Sequence, residues 1–270
     1  MTEPLVVLER DADVAIVTFN DPTRRNAMTE AMGHAIANQI KALVGSDSMR
    51  AAVLTGAGRA FSAGGDLTMI EGMARKGSSS PGGEARGEIS EFMRRFYDLY
   101  LSVRDLPCPT IAAVNGAAIG AGLCIALACD TRIAARDAKL GLNFTRLGIH
   151  PGMGATWNLP RLVGPAHAAE LLFTGRILDG AEAERIGLVN RAVDGEAVLP
   201  EALEMARAMA LSAPIAVRGT KRALARSLDS DLAGQLDFEA HQQSLCCESA
   251  DLLEGVAAAR TKRPPRFRGE

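Results

Sequence analysis

The stretch Leu106 to Cys129, LPCPTIAAVNGAAIGAGLCIALAC, contains no charged residue over 24 positions. A run of this length is long enough to cross a bilayer. Pro107, Pro109, Asn115 and three glycines (Gly116, Gly120, Gly122) interrupt it, and no unbroken helix can be drawn through them. The run therefore has to be buried inside a folded domain, divided among several elements. TIAAV reads as a buried strand and the glycine-rich segment as a turn. Leu123 to Cys129 reads as a helix apolar on every face, which belongs in a core. With 270 residues, 47% of them hydrophobic, the chain can enclose such a core in one large domain, or in a core plus a small appendage.

The same strand-then-helix order recurs. LVVLERDADVAIVTFN predicts two strands around a turn at Asp11 to Asp13. Thr29 is placed to cap a helix carrying Met32, Ile36, Ile40 and Leu43 at helical spacing. RAAVLTG predicts a buried strand, followed by a glycine-rich loop and a helix, and TRIAA and KLGL are again strand-like. Residues 72–88 are small and polar without periodicity and predict a mobile surface loop; a helix is expected from about Ile89 to Val103. From Glu201 to Arg260 the pattern is helical, with Pro214 opening one helix. Alternation of strands and helices predicts an α/β fold with a largely parallel sheet, a core over residues 1–200 and a helical region over 201–270. The tail KRPPRFRGE reads as a solvated basic end.

Two glycine-rich loops stand between a predicted strand and a predicted helix: FSAGGDL (Phe61 to Leu67) and NGAAIGAGL (Asn115 to Leu123). Glycine lets the backbone adopt unusual angles and lets a ligand approach closely. The first N–H groups of a helix have no partner inside it, and the helix dipole there favours negative charge. Two such ends brought together would form a two-donor oxyanion hole; alternatively the glycines serve only tight turns. The spacing fits neither GxGxxG nor a phosphate-binding loop, and Ser62 in AFSAG lacks the first glycine of GxSxG, which leaves it a weak nucleophile candidate.

Composition excludes other classes. Thirty Lys and Arg against 32 Asp and Glu give a net charge of −2, and aromatics amount to 4%, a balance without the marks of a nucleic-acid or membrane-surface binder. The five cysteines form no CxxC pair, and the four histidines lack zinc-ligand spacing, so no metal site and no tightly bound cofactor are expected. The N-terminus lacks signal-peptide features, and a reducing cytoplasm is the expected location.

Five ordered segments carry a resemblance: RRNAM (Arg24 to Met28), AFSAGGDL (Ala60 to Leu67), VNGAAIGAGLCIALACDTRIAA (Val114 to Ala135), LGIHPGMGATWNLPRLVG (Leu147 to Gly164) and AAELLFTGRILDGAEAERIGLVNRAV (Ala168 to Val193). Together they resemble the crotonase superfamily, the enoyl-CoA hydratase/isomerase group. The resemblance implies a spiral of ββα units, a C-terminal helical trimerisation region in a homotrimer or homohexamer, and an acyl-CoA thioester as substrate. It implies that the N–H groups of Gly65 and Ala121 hold the thioester oxygen as an enolate forms. It puts CoA contacts near Arg25, Ala27, Ala63, Gly64, Asp66 and Leu67, although Asp66 also suits a helix cap.

The resemblance also marks a departure. Where hydratases of the group carry their two catalytic glutamates, this chain has Cys124 and Phe144, and Gly152 stands where the dehalogenase branch has its aspartate nucleophile. Cys124 is a candidate thiol acid/base or an inert core thiol. His150, in GIHPGMG, is a candidate proton relay or a turn residue. Asp130 is expected to fix a turn or an ion pair, and Trp157 to lie in the core or line the pocket. Asn143 and Arg146 are polar residues beside the second missing glutamate. Three functions remain open: an isomerase- or lyase-type enzyme stabilising a thioester enolate, a non-catalytic acyl-CoA-binding protein, or a thioester hydrolase using Cys124 or Ser62.

Overall fold

The computed structural model describes residues 3–46, 48–80 and 83–270. Strands β1 (Val6–Asp11) and β2 (Val14–Phe19) form the expected antiparallel hairpin, with Ala12 at φ 52° in its tight turn. Helix α1 (Glu30–Val44) follows, and Thr29 caps it by accepting the Met32 N–H at 3.2 Å. Its Met32, Ile36, Ile40 and Leu43 are all buried.

Three turns of a spiral come next. They comprise β3 (Ala51–Gly56), β4 (Ala60–Ser62), α2 (Leu67–Ser78) and α3 (Glu84–Leu101); then β5 (Thr110–Val114), β6 (Ala117–Ile119) and α4 (Ala121–Ala128); then β7 (Thr131–Ala135), β8 (Leu140–Gly141) and α5 (Ala155–Thr174). The first strand of each turn enters one sheet and the second strand enters another. The larger sheet runs β1-β2-β3-β5-β7 and ends on β10 (Arg191–Val193); the smaller runs β4-β6-β8 and ends on β9 (Ile177–Leu178). Successive turns stack in parallel in both sheets. Short α6 (Gly180–Arg185) joins β9 to β10, and α7 (Val198–Ala210) packs against β3, β5 and β7. Helices α8 (Pro214–Ser227), α9 (Leu232–Cys247) and α10 (Ala250–Thr261) complete the chain.

The uncharged run is thus strand β5, strand β6 and helix α4. Seven of the eight α4 residues are buried, which removes the need for any charge on that helix. At its end Asp130 does fix the turn: its carboxylate accepts the Thr110 N–H at 2.7 Å and pairs with Lys221 at 2.9 Å.

One expectation requires correction. Residues 72–88 are not a surface loop where described: α2 continues to Ser78 and α3 begins at Glu84, while Pro81 and Gly82 lie outside the described residues. An Asp66 cap, the Glu71–Arg75 pair one helical turn apart and the Lys76–Glu88 pair between the helices offset the helix-weakening effect of Gly72, Gly77 and Gly87. The basic tail is solvent-exposed over residues 262–266, as expected, and is fastened near its end, where Asp251 accepts the N–H groups of Arg268 at 2.7 Å and Gly269 at 2.8 Å.

Candidate active site

The first glycine loop is locked from behind by RRNAM. Arg25 and Asn26 both sit at positive φ (53° and 55°), and the buried Asn26 side chain donates to the carbonyls of Ala57 at 3.1 Å and Ala60 at 2.8 Å. The turn then runs alongside the loop. Met28 N–H donates to Gly64 O at 2.8 Å, and Asp66 N–H donates to Met28 O at 3.2 Å. Gly65 lies opposite Met28 in this parallel bridge, so its own N–H points to the other side. Ser62 is committed to the same framework: its hydroxyl donates to Asn26 O at 2.8 Å and accepts the Gly64 N–H at 3.2 Å.

The second loop approaches the first at backbone contact distance. Gly64 has φ 90°, and a Cβ there would overlap the Ile119 carbonyl and stand 3.6 Å from the Ala121 nitrogen. A Cβ on Gly122 would stand 2.5 Å from the Ser62 carbonyl. In this loop Gly120 N–H donates to Gly141 O at 2.7 Å, while Cys124 N–H donates to Gly120 O at 3.2 Å as α4 begins. Neither the Gly65 N–H nor the Ala121 N–H has an acceptor among the described residues.

Both glycine loops open onto one cavity of about 510 Å³. Gly65 and Ala121 line it, as do Ala27, Ala63, Gly64, Asp66 and Leu67. The arginine in its wall is Arg24, which pairs with Asp66; Arg25 lies outside the lining, and its carbonyl accepts the Ala63 N–H at 2.9 Å. Asp66 is the one carboxylate lining the cavity among the described residues, and it caps α2 by accepting the Met69 N–H at 2.9 Å. That hydrogen bond, followed by Arg24, holds its carboxyl below the usual range against the opposing effect of burial.

Cys124 and Phe144, the residues expected at the glutamate positions, differ in exposure. Phe144 is half-buried in the cavity wall, beside Asn143. Cys124 is fully buried behind the wall. Its thiol donates to Gly152 O at 3.6 Å, and burial pushes its pKa up, so it remains un-ionised at neutral pH. His150 is exposed at the cavity rim, and its Nδ1 lies 2.8 Å from Pro151 O. A carbonyl can only accept, so Nδ1 carries a proton, and in the neutral ring the lone pair is at Nε2. Arg146 turns away to donate to Thr174 O at 2.7 Å. Trp157 belongs neither to the core nor to the cavity wall: it is half-buried between the guanidinium groups of Arg161, 4.0 Å from its ring centroid, and Arg104, 5.0 Å away.

Sequence reasoning missed the contribution of α3. Met93, Phe96 and Tyr97 of this helix line the cavity, opposite Met69, Ile70 and Met73 of α2. The available signal was the spacing of Met93, Phe96, Tyr97 and Tyr100, which puts all four on one side of a helix. Tyr97 lies against Gly152 so closely that a Cβ at that glycine would overlap its hydroxyl.

A family model described as enoyl-CoA hydratase/isomerase matches residues 9–270. The chain is 38% identical over 262 residues to the bovine (Bos taurus) enoyl-CoA hydratase domain-containing protein 2, mitochondrial, covering 95% of this chain and 85% of that protein. It is 34% identical over 267 residues to the methylglutaconyl-CoA hydratase of Mus musculus, covering 97% and 82%. Among solved structures, the enoyl-CoA hydratase from Bacillus anthracis superposes with a TM-score of 0.88 at 34% identity, covering 98% of this chain and all of that one. The ββα spiral, the paired glycine loops and these matches together establish that the chain belongs to the enoyl-CoA hydratase/isomerase family.

Proposed function

We propose that this protein binds an acyl-CoA thioester in the cavity and stabilises its enolate with the N–H groups of Gly65 and Ala121. The carrying observation is that two N–H groups without acceptors, one at each glycine loop, line the same cavity. Donors fixed in this way need no reorganisation as negative charge develops on a thioester oxygen, and losing one typically costs about 2.7–4 kcal/mol of transition-state stabilisation. CoA contacts fall to Ala27, Ala63, Gly64, Asp66 and Leu67, with Arg24 at the mouth.

The reaction is of isomerase or lyase type, such as double-bond migration or decarboxylation, with His150 as proton relay through Nε2. Hydration by a pair of glutamates does not suit the site, because Cys124 and Phe144 occupy those positions and Asp66 is engaged by Arg24 and by α2. The same lack of a free carboxylate favours a second reading, a non-catalytic acyl-CoA-binding protein. A thioester hydrolase is disfavoured, since Cys124 is buried and un-ionised and both roles of the Ser62 hydroxyl are already taken. Exposed Leu224, Leu232, Leu236, Leu252 and Leu253 on α8–α10, with Leu228 in the turn after α8, support self-association through the C-terminal helices.

Titration with a saturated acyl-CoA, followed by assays on 2-enoyl-CoA and 3-enoyl-CoA, tests the proposal. Turnover of the 3-enoyl substrate is expected. Binding without turnover would favour the second reading, and release of free CoA would favour the hydrolase. Fast hydration of a 2-enoyl-CoA would overturn the argument from Cys124 and Phe144, and failure to bind any acyl-CoA would overturn the whole reading.

A further inference from the structure

The chain has two tyrosines, both on α3, and their hydroxyls are used differently. Tyr100 is fully buried and donates to Thr29 O at 2.6 Å, where it ties α3 to the cap of α1. Tyr97, nearly one helical turn earlier, lines the cavity together with Gly65 and Ala121, and its hydroxyl donates to no described residue.

We propose that Tyr97 is a catalytic residue of this site, the acid that returns a proton to the enolate carbon; the inference rests on the acyl-CoA reading above. Its place in the structure is specific. The hydroxyl occupies the space that a side chain at Gly152 would fill, on the turn that carries His150 and whose Gly152 carbonyl accepts the Cys124 thiol. The acid position of this site is thus filled from α3, across the same cavity from His150, which serves as the base. Burial, and secondarily the neighbouring Cys124, raise the phenol above its ordinary value, so it keeps its proton at neutral pH and serves as a donor.

In the exchange, a C–H bond at the α-carbon breaks as His150 Nε2 takes its proton, and the charge moves to the oxygen facing Gly65 and Ala121. The Tyr97 O–H bond then breaks and a new C–H bond forms at the α-carbon as the thioester carbonyl re-forms; the phenolate takes a proton from solvent and the protonated imidazole gives one back to it.

Exchange of the α-protons of butyryl-CoA in D2O, followed by proton NMR, reads this step, and calorimetric titration of butyryl-CoA reads binding. Tyr97→Phe is expected to slow exchange by about 100-fold, the lower range for a positioned acid, with affinity unchanged. Gly152→Ala places a methyl group where the hydroxyl lies and is expected to reproduce that loss. The double variant should be no slower than either single variant, since both remove the same interaction. Wild-type exchange rates in Tyr97→Phe, additive losses in the double variant, or parallel loss of binding and exchange would each overturn the role. If the wild type binds butyryl-CoA without exchanging it, the role of Tyr97 fails and the binding reading stands. If the wild type does not bind, the acyl-CoA reading fails and the role of Tyr97 with it.

Discussion

The first glycine loop passes into α2, a helix with no buried residue, whose cap is the Asp66 carboxylate paired with Arg24. The second passes into α4, a helix with seven buried residues, whose cap position is Gly120 and offers no side chain. The positive end of α2 therefore meets a negative charge of its own, whereas that of α4 meets none. The two N–H groups are comparable as backbone donors but unequal in surroundings. The second loop presents the stronger uncompensated field, and the first presents a donor beside a charge that also borders the ligand.

The largest effect that can separate the loops is deletion of one donor. Ala121→Pro removes an N–H at the first position of α4, where proline is compatible with a helix, and is expected to lower turnover by about 10²–10³-fold with the fold retained. Gly65→Pro is expected to have a smaller effect, because the dipole of α2 is already offset by Asp66. A reversed order in steady-state kinetics would show that the compensation is not felt at the substrate.

Next in size is Gly122→Ala, which drives a methyl group into the Ser62 carbonyl and should destabilise the fold by about 1–3 kcal/mol in denaturant titration. A neutral result would show that the two loops are not in fixed contact. Asp66→Ala removes a cap, worth about 1 kcal/mol, from the exposed helix only. Because the folded carboxyl lies below its ordinary value of 3.8, its contribution is present above that pH and fades as the pH falls through the lowered value. Wild type and Asp66→Ala should therefore converge in stability in acid; a constant gap would assign the effect to packing. The smallest effect belongs to Cys124→Ser, for which unchanged turnover is expected; a large loss would return the thiol to the mechanism.

Much of this arrangement was legible in the sequence. The hairpin, the Thr29 cap, both glycine loops and the buried character of α4 followed from short-range patterns of glycine, polarity and apolar spacing. Strand β4 was hidden because its three residues, Ala60–Ser62, lie inside a segment that reads as loop. The helical character of residues 72–78 and 84–88 was hidden because three glycines mask it and its support comes from ion pairs, one of which joins two helices. Tyr97 was hidden for another reason. Nothing in its local sequence distinguishes it from Tyr100; only the packing of α3 decides which hydroxyl meets a backbone carbonyl and which meets the cavity.

The pairing of β4 with β6 has a final consequence. Ser62 is in register with Ala118, and Gly65 and Ala121 each follow three residues later. The two donors stand at equal offsets from one rung of a ladder whose neighbouring strands lie about 4.8 Å apart. The sheet acts as a gauge block for them, cut to size by main-chain hydrogen bonding and steadied at the first connector by the Ser62 hydroxyl and the Asn26 amide. Residues at 97, 124, 144 and 150 can be exchanged over evolution without resetting that gauge. Adding or removing one residue in either three-residue connector would shift it, and no replacement of a side chain would bring it back.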